Sequence, residues 1–349
     1  VPQRQTLHGP TMGTRWSVTC DMPAGTDTAA LHAALAAAVD TVDTQMSPWK
    51  PDSALNRINQ APCHTWVAVP QPLLEVLACA LDISRLSRGA FDPGAGALVD
   101  AWGFGAARQA PDAQAIRAAA QAPRTPTHEA LELDRAGARV RKHAPRQLDL
   151  CGIAKGYAVD CMATVLQAHG LAHALVALDG ELRALGAQAD GTPWAVALER
   201  PVPGLRAVQG VLALQDLAVA TSGDYRHYLE VGGARLAHSM DTRRGAPVRN
   251  DVASVTVLAR TCMQADAWAT ALLVAGVGEG LALAQRLALE ALWLLRRGDA
   301  LVEVGTGRFA PAAPAWHAAD GCLGAGHPGA GPQIARRAGS DAHGRVWQD

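Results

Sequence analysis

Lysine is scarce in this chain, so the place where one is kept is informative. Only Lys50, Lys142 and Lys155 stand among 31 basic residues. Lys155 falls in Leu148-Asp-Leu-Cys-Gly-Ile-Ala-Lys-Gly-Tyr-Ala-Val-Asp160, where a strand-like run turns into a helix. An acid, flanking glycines and a compact ammonium at such a turn suit a phosphate-bearing ligand held by the cation and by backbone N–H groups. Asp149 can bond a sugar hydroxyl or a ring N–H while Lys155 neutralises a phosphate. The competing reading is a surface lysine near a helix start.

Three further constellations carry chemistry. Asp266 and Thr270 lie four apart on an expected helix and so share one face, where a carboxylate and a hydroxyl can hold a hard cation such as Mg²⁺. An exposed Asp capping a helix is the alternative. Thr221-Ser-Gly-Asp-Tyr225 reads as a polar turn after apolar Leu217–Ala220, either an ordinary loop or a set of hydroxyls and N–H groups facing a ligand. His238-Ser-Met-Asp241 places a histidine three residues from an acid just after a strand, a base with its orienter or a lone surface histidine.

Composition narrows the classes. The 349 residues carry a net charge of −1, which argues against general nucleic-acid binding and against a polybasic membrane patch. The seven cysteines are odd in number and scattered without a Cys-x-x-Cys pair, so neither a disulfide framework nor a zinc site is expected, and Cys151 reads as a small filler. The most apolar stretch, Ala267–Val277, is shorter than the ~20 residues of a membrane span.

These residues need elements to position them. Thr26 or Asp27 caps a helix through Leu31, Leu35 and Val39; Ala54–Asn59, Pro70–Arg88 and a stretch near Ala113–Ala120 are further helices. Phe91–Gly105 reads as a Gly-punctuated loop with a buried centre, and residues 106–130 as peripheral. Ala174–Leu178, Trp194–Leu198, Gly210–Leu214, Val252–Leu258 and Ala291–Leu295 read as strands, Tyr225–Leu236 as a hairpin turning at Gly232-Gly233, and Met263–Ala275 and Gly280–Leu287 as helices. The irregular alternation predicts an α+β fold, with mixed, largely antiparallel sheets and packed helices. Residues 1–309 are expected to form one domain, or two intimately joined subdomains, and 310–349 a low-complexity, mobile tail.

Taken together and in this order, the segments resemble the FAD:protein FMN transferases, the ApbE family. The resemblance rests on Met12-Gly-Thr14, Met46-Ser-x-Trp-x-Pro-Asp-Ser-x-Leu-Asn56, Phe91-Asp-Pro with Leu98 and Trp102-Gly-Phe-Gly105, Leu148 to Asp160, Gly180-Glu-Leu-Arg183, Thr221 to Arg226, His238 to Gly245 and Ala265-Asp266 to Thr270. It implies an enzyme that binds FAD and Mg²⁺ in a cleft and moves FMN from FAD onto a threonine or serine hydroxyl of an acceptor flavoprotein, releasing AMP. Such acceptors are typically subunits of membrane redox complexes. Carried onto this chain, Met12, Trp49, Ala90, Phe91, Asp92, Asp149, Lys155 and Met240 line the FAD site, with Thr221 and Ser222 beside them. Asp266, Thr270 and backbone oxygens near Gly152 and Ala269 hold Mg²⁺. His238, Lys155 and Asp241 are the catalytic candidates, His238 activating the acceptor hydroxyl.

The chain departs from the family pattern in places. Cys151 stands where Gly is usual, Asp179-Gly180-Glu181 replaces Gly-Gly-Asp, Trp49 replaces Tyr, Met240 replaces Ile, Thr242 replaces Pro, and Gly94 and Ala97 replace Thr and Pro. These bear on ligand fit and rate more than on reaction type. Two rival activities stay open at this level: an FAD pyrophosphatase giving FMN and AMP, and a non-catalytic flavin-binding protein. The family resemblance also implies a periplasmic location, free or held by a lipid anchor.

Overall fold

The computed structural model describes residues 2–107, 110–202, 204, 206–224, 228–231, 234–298 and 300–311. The expected tail from residue 312 on, Tyr225, Arg226 and the Gly232-Gly233 turn lie outside the described residues.

Strands β1 (Gln3–Thr11) and β2 (Thr14–Met22) pair as a hairpin, with Thr11 opposite Thr14. Met12 and Gly13 form its two-residue turn at φ 45° and 71°, the pair of positive values that matches strand twist. Helix α1 (Thr28–Met46) starts on Asp27, whose carboxylate accepts from Ala30 N at 3.0 Å. There follow α2 (Ala54–Gln60), β3 (Trp66–Ala68), α3 (Gln71–Leu86), α4 (Gly96–Ala101), α5 (Ala113–Gln121), α6 (Thr127–Ala130), β4 (Leu131–Asp134) and β5 (Arg139–Lys142). Helix α7 (Ala154–Ala168) leads into β6 (Ala174–Leu178), β7 (Glu181–Leu185), β8 (Trp194–Glu199), β9 (Val208–Leu214), β10 (Ala218–Gly223), β11 (Tyr228–Val231) and β12 (Ala234–Ala237). The chain continues through β13 (Met240–Asp241), β14 (Ala246–Pro247), β15 (Val252–Ala259), α8 (Cys262–Arg286), β16 (Glu290–Arg297) and β17 (Ala300–Gly305).

Eight strands form one sheet in the order β1-β2-β6-β7-β10-β15-β16-β17, and every described strand pair is antiparallel. The α+β expectation therefore holds. Both faces of this sheet are covered, because side chains alternate across it. Along β16, Ala291, Trp293 and Leu295 face the main core under α1, α3, α7 and α8, while Leu292 and Leu294 face a second core. Trp194, Val196 and Leu198 of β8 and Leu212 and Leu214 of β9 close that second core as a two-stranded ribbon. Each large apolar side chain buried this way contributes about 1.5–3 kcal/mol of transfer free energy.

Four local readings change. The loop Phe91–Gly105 contains α4. The run before Lys155 is irregular chain, not a strand, and is tied down by Asp149 N donating to Pro93 O at 2.8 Å and Leu148 N donating to Asn59 Oδ1 at 2.7 Å. Thr221–Gly223 are the last residues of β10 and not a turn. The two helices expected after Thr261 are halves of α8, interrupted at Gly276, where φ is 72° and Asn250 bonds the Leu273 carbonyl at 2.9 Å. Its 25 residues are long and apolar enough to cross a membrane, yet 61% of its 18-residue apolar window is buried here and the helix carries Asp266, so α8 serves as a core helix.

Helices α7 and α8 cross at Gly156. A Cβ there would lie 2.3 Å from Cys262 O and 2.8 Å from Asp266 Cβ, so glycine sets the approach of the helices that bear Lys155 and Asp266. Asp160 fastens the same crossing: its carboxylate accepts from Cys262 N and Met263 N, both at 2.9 Å, and from Arg183 Nη1 of β7 at 2.6 Å. Gly156→Ala is expected to destabilise the protein by about 1–3 kcal/mol through overpacking; chemical denaturation checks this, and an unchanged midpoint would contradict the close crossing.

Edge strand β1 is held by Arg4, whose guanidinium donates to both Asp21 oxygens at 2.8 Å, and Ala189 N donates to Asp21 as well at 2.7 Å. The Arg4 hydrogen bonds hold the Asp21 carboxyl below its ordinary range, against the effect of burial. A depressed carboxyl stabilises above its unfolded pKa and loses that contribution as pH falls through its folded value. Asp21→Asn should therefore lower the melting temperature at pH 7 and converge with the parent protein under strongly acidic conditions; a difference that persists there would contradict the assignment.

Candidate active site

A cavity of 840 Å³ opens where the β1–β2 turn, the C-terminal end of α1, the start of α7, the β6–β7 turn, the end of β10 and α8 converge. That volume lies in the range of small-molecule and cofactor sites. The wall includes Met12, Trp49, Ala90, Phe91, Asp92, Asp149, Gly152, Lys155, Thr221, Ser222, His238, Met240, Asp266 and Thr270. Fourteen residues singled out by type and resemblance, spread over most of the sequence, thus meet in one place.

At its centre is Lys155. Its ammonium lies 3.0 Å from Glu181 Oε1 and 3.4 Å from Asp179 Oδ2. Burial works against its charge, but Glu181, Asp266 and Asp179 outweigh burial and move its pKa upward. The lysine is therefore a fixed cation. Asp266 sits one turn into α8, buried, with Oδ2 accepting from Gly156 N at 3.0 Å. That places a carboxylate on the first turn of α7, where the helix dipole favours it.

The acids of the cluster are under-compensated. Burial pushes the Asp266 carboxyl up to about 6, with Lys155 and the Gly156 N–H pulling the other way. Burial, reinforced by Asp266 and Asp179, pushes Glu181 up to about 8 in spite of Lys155. Glu181 Oε2 is buried with no hydrogen-bond partner among the described residues. Orphaned buried oxygens of this kind call for a missing partner.

The donor set suits a hard cation. Thr270 Oγ1 lies 3.1 Å from Ser222 Oγ, and a Cβ built on Gly152 would lie 3.0 Å from Thr270 Oγ1, so backbone, hydroxyls and the Asp266 side of α8 come together. Ala269 is fully buried and off the cavity wall, which leaves only its backbone to serve a ligand.

Other candidates take different places. Trp49 is 54% exposed at the cavity, whereas Phe91 is buried beside Gly152, within 3.4 Å of the position of an added Cβ. Asp92 braces loops: it accepts from Gly94 N at 2.8 Å, and from Thr127 N and Thr242 Oγ1 at 3.3 Å. Asp149 accepts from Cys151 N at 2.7 Å, and burial holds its carboxyl above the ordinary range. Cys151 is exposed on the wall instead of filling the interior. His238 faces the cavity with its ring edge-on to Phe104, 6.4 Å between centroids. Asp241 is buried and off the wall; it accepts from Arg243 N and Nε at 3.0 Å, and Arg243 continues to Glu279 at 2.9 Å. It holds the segment behind His238 in place and does not face the cavity.

Sequence reasoning gave Glu181 no role at the site. The signal was the Asp179-Gly180 dipeptide between two apolar runs, which marks a tight hairpin and fixes where the next side chain points. Thr221 and Ser222 reach the cavity from a strand end, with Thr221 Oγ1 bonded to Thr256 Oγ1 at 2.8 Å.

The sequence model of the ApbE family matches residues 12–293. An FAD:protein FMN transferase of Vibrio cholerae is 37% identical over 317 residues, 87% of this chain and 91% of that protein. One of Klebsiella pneumoniae is 35% identical over 301 residues, 84% of this chain and 85% of its own. Among solved structures, the flavin transferase ApbE of Vibrio cholerae superposes with a TM-score of 0.79 at 35% identity, covering 88% of this chain and 99% of the other. The apo form of the Pseudomonas stutzeri flavinyl transferase ApbE gives 0.77 at 35% identity, covering 87% and 95%. On its matched sequence, its fold and the residues that meet in its cavity, the chain belongs to the ApbE family.

Proposed function

We propose that this protein moves FMN from FAD onto a threonine or serine hydroxyl of an acceptor flavoprotein. The acceptor oxygen forms a bond to the FMN phosphorus, the anhydride bond to the AMP phosphate breaks, and AMP leaves with the bonding pair. The hydroxyl proton passes to a base. The observation that carries this reading is the under-compensated cluster of Lys155, Glu181 and Asp266 on a cavity wide enough for a dinucleotide.

Each residue then has a task. Lys155, kept charged, meets negative charge on the phosphates, which is the main demand of phosphoryl transfer. His238, on the cavity wall, takes the proton of the incoming hydroxyl in this reading. Asp241 and Arg243 keep its segment in position. Trp49, exposed at the cavity, offers a flat face to a ring, and Met12, at positive φ in the β1–β2 turn, stands on the same wall. Asp266 and Thr270, with backbone oxygens at Gly152 and Ala269, would hold Mg²⁺, which when bound supplies charge neutralisation on the anhydride. The resemblance to the family supports an acceptor among subunits of membrane redox complexes and a periplasmic site of action.

The test is an incubation with FAD, Mg²⁺ and a threonine-bearing acceptor domain, following AMP release and covalent flavin fluorescence on a denaturing gel. AMP and flavinylated acceptor should form in equal amounts. AMP without a fluorescent band would point to hydrolysis, and no AMP to a flavin binder. Asp266→Asn, which keeps the shape and an acceptor for Gly156 N, should slow transfer about 10²–10³-fold; a full rate would sink the proposed role of Asp266.

A further inference from the structure

The β6–β7 hairpin turns on two residues, with Leu178 opposite Glu181. Asp179, the first of them, has φ 54°, while Gly180 stays outside the left-handed region. Positive φ at that position is a conformation that favours glycine. A residue with a Cβ is strained there, and strain kept at a cavity wall points to a use for the side chain. Here the side chain is a carboxylate, 31% exposed, with Oδ2 at 3.4 Å from Lys155 Nζ.

Lys155 does not need this second acid. Glu181 already meets it at 3.0 Å and is almost wholly buried. Asp179 therefore adds surplus negative charge, and it contributes to the upward shifts of both Glu181 and Asp266. The cavity wall as a whole is acidic: seven Asp and Glu residues line it against one lysine and no arginine among the described residues. A dinucleotide diphosphate reaching for Lys155 must displace Asp179 or arrive with positive charge of its own.

We propose that Asp179 is a specificity-determining residue that couples dinucleotide binding to a divalent cation: its carboxylate occupies Lys155 and disfavours the bare diphosphate relative to the metal complex. This rests on the reading of the cavity as an FAD site. It concerns the ligand's charge state and adds no step to the transfer.

The experiment measures the dissociation constant of FAD by flavin fluorescence, in EDTA and in excess Mg²⁺, for the parent protein, Asp179→Asn and Asp179→Gly. Asn tolerates positive φ, so it removes the charge and keeps the backbone, whereas Gly removes both charge and strain. In EDTA both variants should bind FAD about tenfold tighter than the parent, the scale of one unit charge removed nearby at intermediate dielectric. In Mg²⁺ the gap should shrink, so that the EDTA-to-Mg²⁺ ratio falls in both. The Gly variant should also melt higher than the Asn variant. An identical ratio in all three proteins, or weaker FAD binding by both variants in EDTA, would overturn the proposal. Failure of the parent protein to bind FAD under either condition would instead overturn the FAD reading on which it rests.

Discussion

One half-buried ammonium governs the arrangement of this protein. Lys155 is the only basic side chain among the described cavity residues apart from His238, and Glu181, Asp179 and Asp266 are gathered around it. Two of those acids are buried, and burying like charges together is unfavourable unless a cation compensates. Lys155 supplies one charge. The remaining deficit is visible in the raised carboxyls and in the orphaned Glu181 oxygen. A site left short of positive charge is poised to take up a cation together with an anionic ligand.

The fold exists to hold that cluster at fixed spacing. Lys155 comes from the first turn of α7, Glu181 and Asp179 from the β6–β7 hairpin, and Asp266 from the first turns of α8. Gly156 lets the two helices touch, and Asp160 with Arg183 ties α7, β7 and the start of α8 together by hydrogen bonds of 2.6–2.9 Å. The sheet and its two cores make this framework rigid. The β1–β2 turn and the chain around Trp49 form the rim, where residues are more exposed and strained backbone such as that at Met12 is found.

Much of this was legible in the sequence, and the reasons differ by residue. The face shared by Asp266 and Thr270 follows from helical spacing, and both do reach the cavity. The Asp27 cap and the turn holding Lys155 are local signals and stood out for that reason. Less legible were features decided by long-range packing. The edge strand β1 alternates in burial from Arg4 to Thr11, but its inward positions Gln5, Leu7, Gly9 and Thr11 are mostly not apolar, so it did not read as a strand. Thr221 and Ser222 are polar and read as a turn, yet they end β10 because Thr256 and Thr270 satisfy their hydroxyls. Glu181 read only as part of a departure from the family's Gly-Gly-Asp, because nothing local tells that a lysine 26 residues earlier will lie 3.0 Å away. Asp241 carries a plausible spacing from His238, but Arg243 claims its carboxylate.

The most direct test of the central claim is a crystal soaked with FAD and Mn²⁺, with the metal located by its anomalous scattering. The account predicts one manganese peak against Asp266 and Thr270, with the FAD diphosphate on Lys155 in place of Asp179. A metal bound elsewhere, or a diphosphate seated away from Lys155, would contradict it.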